Sequence, residues 1–419
     1  MTLFKITWQS LWNRRFSTGL TIFSIAVSVA LLLTVERIKT EARSSFAQTV
    51  SGTDMIVGAR GSGSQLMLYS VFRIGEATNN FSWDSFQLLR SSSRVAWTIP
   101  ISLGDSHRGY RVLATDSSYF DHFRYGEDQS LQLADGHIFS DIYDVVLGSE
   151  VARRLHYQLG QKITLSHGIS TISLVNHTNA PFVVTGILQQ TGTPVDRTLH
   201  ITLAGMEAIH VGWQGGTPPV DGGYSADAIR KMDLTPKTIT AALVGLHSRL
   251  AVFQLQRAIN DYPKEALMAV LPGVALDELW ESFALVEKIL FLVSSAVAVA
   301  GLLGLIAVIL TSLNERRREL AILRSVGARP RHIIGLLLME SGLIGLGGVI
   351  SGVALFYGLL IGLRPWLADQ FGLFLPLRPL SLMELAILAM VLAASLLAGL
   401  IPALRAYQNL LADGLVVRT

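Results

Sequence analysis

The chain has 419 residues, of which 50% are hydrophobic and 16% are charged, and its mean hydropathy is +0.44. This composition is too apolar for an ordinary soluble protein and indicates membrane spans together with a sizeable polar domain. The small net charge of +3 argues against nucleic-acid binding, and the absence of cysteine excludes disulfides, thiolate metal sites and cysteine catalysis.

The N-terminal segment predicts an amphipathic helix followed by a first membrane span. Phe4 and Trp8 recur at helical spacing among basic residues, which is typical of a helix lying in the membrane interface. Residues 18–35 carry no charge and are long enough to cross the hydrocarbon core. A cleaved signal peptide is the alternative, but no A-x-A-like site follows the run. We therefore expect a cytoplasmic amphipathic helix over 1–16 and a transmembrane anchor over 17–36.

Residues 37–284 form a long polar region that mixes strand-like with helix-like segments. This mixture predicts a large α+β domain, and the alternating charges from Glu36 to Arg43 predict a solvated helical stalk leading into it. The candidate strands are 94–101, 110–114, 162–165, 171–175, 182–188, 199–203 and 238–245, and the candidate helices are 83–90, 149–155 and 249–261.

Nine of the ten histidines fall in this polar region, which raises the question of a metal site. Histidine is rarely placed in membrane spans, so a polar domain is expected to hold most of them, and none belongs to an H-x-x-x-H pair. The chain also lacks the G-x-x-x-x-G-K-[ST], G-x-S-x-G and H-E-x-x-H patterns. The sequence therefore predicts no catalytic residue, no resident metal and no nucleotide site.

Three further apolar runs predict transmembrane helices at 285–313, 333–363 and 382–404. The segment between the last two, 364–381, has few basic residues and is expected to form a short outer loop. Four spans place both ends of the chain in the cytoplasm, including the tail at 405–419.

The third predicted span is rich in glycine and contains one acid. Gly345, Gly348 and Gly352 include a G-x-x-x-G pair, so this helix is expected to pack closely against a neighbour. Glu340 is an ionisable group near the membrane boundary. It is a candidate for intramembrane coupling, and the alternative is a structural ion pair with a loop arginine.

The basic segment 314–332 predicts a short helix and a turn between the second and third spans. Its six arginines against two glutamates fit the positive-inside rule for a cytoplasmic loop. Leu320, Leu323 and Val326 share one apolar face. Gly327 then suits a helix stop. On spacing alone, a loop that only sets topology is an equally good interpretation.

Four stretches resemble the MacB/FtsX-type permeases of ABC transporters. Residues 315–328, ERRRELAILRSVGA, resemble the family's cytoplasmic loop, with Ser325 in place of the usual alanine. Residues 52–62 and 145–165 resemble parts of its periplasmic domain, and AGLIPALRA resembles its closing segment without the D-P pair that normally follows. The resemblance implies a coupling helix that docks on an ATPase through Glu315, Arg316, Arg317, Glu319, Leu320, Leu323, Arg324, Val326, Gly327 and Ala328.

This resemblance implies a membrane protein with four transmembrane helices and a large α+β periplasmic domain of the MacB type, located in the bacterial inner membrane. It implies pairing with a second copy or a related permease, and a separate cytoplasmic ABC ATPase that binds ATP and Mg²⁺. A periplasmic or lipoprotein partner is a further candidate. The implied function is mechanotransmission for export or extraction of a peptide, toxin, lipid or lipoprotein. The alternatives are an FtsX-like signal relay and a membrane-anchored metal- or metallophore-handling protein.

Overall fold

The computed structural model describes residues 2–167, 181–213, 224–315, 328–371 and 377–412. The chain divides into two compact units. The helical unit consists of residues 1–41 and 283–419, and the sheet unit consists of residues 42–282.

The α-helices of the described residues are, in chain order, α1 (Thr2–Asn13), α2 (Arg15–Gln48), α3 (Gly63–Ser70), α4 (Trp83–Arg90), α5 (Ser118–His122), α6 (Ser149–Leu155), α7 (Leu203–Ile209), α8 (Ala226–Ile229), α9 (Val252–Asn260), α10 (Pro272–Glu315), α11 (Pro330–Phe371) and α12 (Leu382–Ala412). Two short 3-10 helices, Pro194–Arg197 and Arg249–Ala251, occur in the sheet unit.

The strands are β1 (Met55–Ala59), β2 (Phe81–Ser82), β3 (Val95–His107), β4 (Tyr110–Thr115), β5 (Arg124–Tyr125), β6 (Gln129–Ser130), β7 (Leu133–Gly136), β8 (Asp144–Leu147), β9 (Lys162–Ile163), β10 (Ser166–His167), β11 (Phe182–Leu188), β12 (Thr198–Thr202), β13 (Thr238–Ile239), β14 (Ala241–Leu246) and β15 (Leu267–Val270).

Among the residues that the structure describes, four helices are long and apolar enough to cross a membrane. The spans are Arg15–Glu41, Pro272–Thr311, Arg331–Arg364 and Leu382–Ala406. Together with the α/β sheet unit they confirm the predicted fold class of four spanning helices and a large α+β domain. Helix α11 continues to Phe371 and α12 to Ala412, so helix occupies part of the segments for which the sequence predicts an outer loop and a tail.

The sheet unit is built on one large mixed sheet with the strand order β15-β1-β14-β3-β4-β12-β8-β11-β7. Strand β12 pairs in parallel with β4, and β11 pairs in parallel with β8. Apolar clusters cover both faces, since Met55 and Val57 of β1 lie in one cluster and Ile56 in the other. A strand buried on both faces reads as a continuous apolar run rather than as an alternating pattern.

Several strands and helices occur where the sequence predicts them. The predicted strands at 110–114 and 182–188 are confirmed by β4 and β11, and the helices at 83–90 and 149–155 by α4 and α6. The candidate strand at 171–175 lies outside the described residues. Strands β1 and β8 fall outside the predicted strands, since neither shows a two-residue period.

His200 of β12 is a fully buried titratable group in the core of the sheet unit. Its Nδ1 lies 3.3 Å from the carbonyl oxygen of Val146, and its ring packs against Tyr119 at a centroid distance of 5.2 Å. Burial, reinforced by the positive charge of Arg73, lowers the pKa of His200 to about 3. The native imidazole is therefore neutral at physiological pH.

We expect His200 to make the sheet unit less stable in acid. The unfolded chain, with a histidine pKa of about 6.5, binds this proton more readily than the native state. The contribution is fully present above about pH 6.5 and is lost as the pH falls towards about 3, at up to about 1.4 kcal/mol per pH unit. His200→Gln should flatten this slope, measured as the free energy of unfolding of the full chain in detergent at several pH values. His200→Asn should flatten it equally, and a slope that both variants leave unchanged would contradict the assignment.

Candidate functional site

The predicted coupling segment lies largely outside the described residues. Arg316, Arg317, Glu319, Leu320, Leu323, Arg324, Val326 and Gly327 all belong to the undescribed stretch. Glu315 is the last residue of α10, and Ala328 stands shortly before α11. Pro330 begins α11, as expected for a proline in the first turn of a helix. The proposed contacts of this segment with an ATPase therefore stay a prediction.

The glycine-rich span lies close to α2 at Gly348 and Gly352. A Cβ atom added at Gly348 would lie 2.6 Å from the Cβ of Ile25. One added at Gly352 would lie 2.6 Å from the Cβ of Val29 and 2.9 Å from the carbonyl oxygen of Ala26. Real Cβ atoms do not approach one another so closely, so glycine is what lets the two helices meet at backbone distance.

A second seam of small residues joins α11 to α12. A Cβ added at Gly345 would lie 2.6 Å from the Cβ of Ser395. From the other side, a Cβ added at Gly399 would lie 2.5 Å from the Cβ of Ser341. Helix α11 is therefore packed tightly against α2 on one face and against α12 on another.

A buried ion pair joins the last turns of the first span to the start of the fourth. Arg37 of α2 and Glu384 of α12 are each only 1% exposed. The guanidinium donates from Nε to Oε1 at 2.6 Å and from Nη2 to Oε2 at 3.0 Å. This two-point contact is the strongest geometry available to an arginine and a carboxylate, and it fixes the orientation of both side chains.

Neighbouring groups complete the surroundings of this pair. The guanidinium carbon of Arg37 lies 5.4 Å from the centre of the Phe356 ring of α11, a cation–π distance. The hydroxyl of Tyr357 donates to the carbonyl oxygen of Arg378 at 2.9 Å. The side chain of Arg378 in turn lies 3.0 Å from Glu41 of α2. Polar contacts at this end of the unit thus connect α2, α11 and the residues that lead into α12.

Glu384 also caps its own helix. The backbone N–H of Ser381 donates to Oε2 of Glu384 at 2.6 Å, and the backbone N–H of Glu384 donates to the Ser381 hydroxyl at 3.2 Å. This reciprocal arrangement is a capping box, which satisfies two N–H groups at the helix start. The carboxylate therefore serves two purposes, since it neutralises Arg37 and caps the N-terminus of α12.

The sequence analysis does not identify the Arg37–Glu384 pair, although the sequence around Glu384 carries a recognisable pattern. Residues 381–384 read S-x-x-E directly before an apolar run, which is the capping-box signature. The prediction of a solvated stalk beginning at Glu36 is wrong for Arg37, which is buried. Its partner, Glu384, lies on another helix, 347 positions away in the sequence. Charge alternation alone cannot reveal such a partner.

Glu340 lies inside the helical unit on α11 and is 3% exposed. The adjacent Ser341 is fully buried and donates to the carbonyl oxygen of Leu338 at 2.9 Å. The sequence places Glu340 near a membrane boundary, and the structure shows that its side chain is enclosed by protein. Its role in coupling stays a prediction.

In the sheet unit, the potential metal ligands that converge among the described residues are Asp105, His167 and His210. Their ligand atoms all lie within 4.8 Å of one another. No short-range spacing in the sequence indicates this cluster, because the three residues come from β3, β10 and the end of α7.

Two family models match different parts of this chain. The model described as the MacB-like periplasmic core domain matches residues 18–232, which is more than half of the chain. The model described as the FtsX-like permease C-terminal matches residues 291–409. The chain belongs to the MacB/FtsX-type permease family.

Two solved structures are similar to parts of this permease. One is the periplasmic region of MacB from Actinobacillus actinomycetemcomitans, with 14% identity, a TM-score of 0.35 and coverage of 56% of this chain and 94% of that chain. The other is the extracellular domain of the noncanonic ABC-type transporter YknZ from Gram-positive bacteria, with 13% identity, a TM-score of 0.30 and coverage of 52% of this chain and 99% of that chain. A comparison with curated proteins gave no match.

A permease of this family is the membrane component of an ABC transporter and is not itself the catalytic subunit. In this permease the glycine seams and the Arg37–Glu384 pair hold α2, α11 and α12 together. The arrangement favours movement of the three helices as one body, because neither a backbone-distance seam nor a buried two-point ion pair tolerates sliding.

Proposed function

We propose that this permease couples ATP hydrolysis by a separate cytoplasmic ABC ATPase to movement of its sheet unit. The family match across both units carries this proposal. The segment that resembles the family's coupling helix lies between α10 and α11, so a push on it would reach both helices directly. The ATPase would supply ATP and Mg²⁺ binding, and this chain would supply the mechanical connection.

The proposed location is the bacterial inner membrane, with all four spans crossing it and the sheet unit on the periplasmic side. Support comes from the four apolar helices and from the periplasmic description of the family that matches residues 18–232. A second copy of the chain, or a related permease, would complete the transporter. The proposed activity is export or extraction of a peptide, toxin, lipid or lipoprotein from the periplasm or the membrane.

The packing of α11 supports a mechanical role over a passive one. Its glycine seams and the Arg37–Glu384 pair make α2, α11 and α12 a stiff group, while the coupling segment is attached to one end of α11. A displacement at Pro330 is then transmitted along the whole helix instead of being absorbed by loose side-chain contacts.

We expect Leu323→Asp to weaken docking of the ATPase strongly. A charge placed on the predicted apolar face must be desolvated in the complex, and loss of a buried interface anchor of about 2 kcal/mol weakens binding by about thirtyfold. The measurement is recovery of the ATPase with tagged permease from native membranes, quantified by mass spectrometry. Gly327→Pro, which disturbs the predicted helix stop, should have the same effect.

Ser325→Asp is the matched control for this experiment. Ser325 lies in the same segment but, at helical spacing, on the side opposite Leu320, Leu323 and Val326. It should leave ATPase recovery near that of the unchanged chain. Full recovery with Leu323→Asp and Gly327→Pro would remove the docking assignment, and absence of any ATPase with the unchanged chain would favour an anchored binding protein instead.

A further inference from the structure

Asp105, His167 and His210 direct three ligand atoms at one point on the sheet unit. Nδ1 of His167 lies 3.2 Å from Oδ1 of Asp105 and 3.2 Å from Nε2 of His210. Nε2 of His210 lies 3.8 Å from the same carboxylate oxygen. The three atoms therefore form a nearly equilateral triangle.

The size of this triangle is that of one face of a tetrahedral metal site. With bonds of about 2.0 Å, two ligands of a tetrahedral zinc ion lie about 3.3 Å apart. The observed separations of 3.2, 3.2 and 3.8 Å bracket that value. Imidazole nitrogens and a carboxylate oxygen are also the donor set that zinc and similar divalent ions select.

Backbone structure places each of the three ligands. Asp105 falls where the pairing of β3 with β4 shifts register between Leu103 and Ser106, and such irregularities re-aim side chains. His167 is the direct cross-strand partner of Asp105 on β10. His210 is the residue that ends α7. Three separate elements thus hold the triangle together before any ion arrives.

A second hydrogen bond prepares His210 as a ligand. Its Nδ1 lies 2.8 Å from the carbonyl oxygen of Met206, so the proton resides on Nδ1 and the Nε2 lone pair faces the other two groups. Asp105 is 1% exposed, and a carboxylate so deeply buried favours a cation beside it.

Aromatic and open surfaces border the cluster on different sides. The ring of Trp213 packs against both histidines, at centroid distances of 5.0 Å from His167 and 5.3 Å from His210. His167 also lines a cavity of about 280 Å³. The indole covers one side of the cluster, and His167 is the ligand that borders the cavity.

We propose that Asp105, His167 and His210 bind a divalent transition-metal ion, with Zn²⁺ as the fitting example, and leave its fourth coordination position without a protein ligand. Three protein ligands and an open position characterise exchangeable or reactive sites, whereas purely structural zinc sites have four protein ligands. This inference departs from the expectation of no resident metal, and it does not rest on the transport proposal.

The test is Zn²⁺ binding to the full-length chain, purified in detergent with a tag that contains no histidine and stripped with a chelator. Titration against a chromogenic zinc indicator should give one high-affinity ion per chain. His167→Ala and His210→Ala should each weaken that binding by at least about 100-fold, since even loss of an outer-shell partner costs 10- to 100-fold. Because His167 is exposed, its replacement should leave the fold intact, as circular dichroism can check.

Two control variants separate this cluster from general histidine binding. His137→Ala removes an exposed histidine of the same unit that lies outside the cluster, and Trp213→Phe changes a neighbour that offers no ligand atom. Both should bind Zn²⁺ as the unchanged chain does. Substitution with Co²⁺ should give the intense visible absorption of a tetrahedral ion, and this absorption should vanish in His210→Ala.

Failure of the unchanged chain to take up Zn²⁺ at micromolar concentration would overturn the proposal. Unchanged affinity in both His167→Ala and His210→Ala would overturn it as well, because the ion would then be held elsewhere. The weak Co²⁺ absorption of an octahedral complex would refute the three-ligand tetrahedral geometry. None of these outcomes depends on whether an ATPase is bound, so failure here is distinguishable from failure of the transport proposal.

Discussion

Replacing Arg37 with methionine is expected to destabilise the helical unit by about 3–5 kcal/mol, because it leaves the carboxylate of Glu384 buried without its counter-charge. Glu384→Gln should destabilise the unit by a similar amount, since it leaves the Arg37 guanidinium buried without its counter-charge while preserving side-chain size. The double variant Arg37→Met with Glu384→Gln should be more stable than the two single losses added together, because no uncompensated charge stays behind. The measurement is the unfolding midpoint of the full chain in detergent, followed by tryptophan fluorescence.

Lys39 and Glu287 provide the matched comparison. They also belong to the helical unit, but their charged atoms lie 3.7 Å apart and their side chains are 38% and 26% exposed. A pair so open to solvent contributes less than about 1 kcal/mol, so Lys39→Met should change the midpoint little. If the double variant lost as much stability as the two single variants added together, the two side chains would not be energetically coupled. That result would contradict their two-point contact.

Gly352→Ala is expected to loosen the contact between α2 and α11, at a cost of about 1–3 kcal/mol. The added methyl would stand 2.6 Å from the Cβ of Val29 and 2.9 Å from the carbonyl oxygen of Ala26. The backbone oxygen cannot rotate away as the tip of a side chain can, so the helices must separate. We expect a lower unfolding midpoint and, if α11 transmits force, a loss of substrate-stimulated ATP hydrolysis in the assembled transporter.

Gly358→Ala in the same helix is the control for this substitution. A Cβ there meets no atom within 4 Å among the described residues, and alanine favours helix over glycine by up to about 1 kcal/mol. It should therefore keep or raise the midpoint. Equal losses from Gly352→Ala and Gly358→Ala would show that helix flexibility, and not close packing, accounts for the effect.

Features with a local cause could be predicted from the sequence. The spans follow from uncharged runs long enough to cross a bilayer, and β4 and β11 follow from β-branched composition. The close approach at Gly348 and Gly352 follows from the small-residue spacing, although that spacing does not say which helix approaches. The partner, α2, emerges only once the chain is folded.

Features that depend on distant pairing could not be predicted. Arg37 sits among alternating charges typical of a solvated helix, and only Glu384 on another helix makes it a core residue. The same holds for Asp105, which meets His167 across two strands and His210 at the end of a helix. Spacing rules describe ligands within one element, and these three ligands belong to three elements.

The strand order of the sheet unit determines when it can fold. Strand β1 pairs with β14 and β15, so both of its neighbours are synthesised only near the C-terminal end of the unit. The sheet cannot close until residue 270 has emerged, and contacts this distant in sequence form slowly. Strand β1 therefore stays unpaired, with its apolar side chains uncovered, until late in the synthesis of the unit. Chaperones that hold extended apolar segments are expected to matter more for this protein than for one assembled from local hairpins.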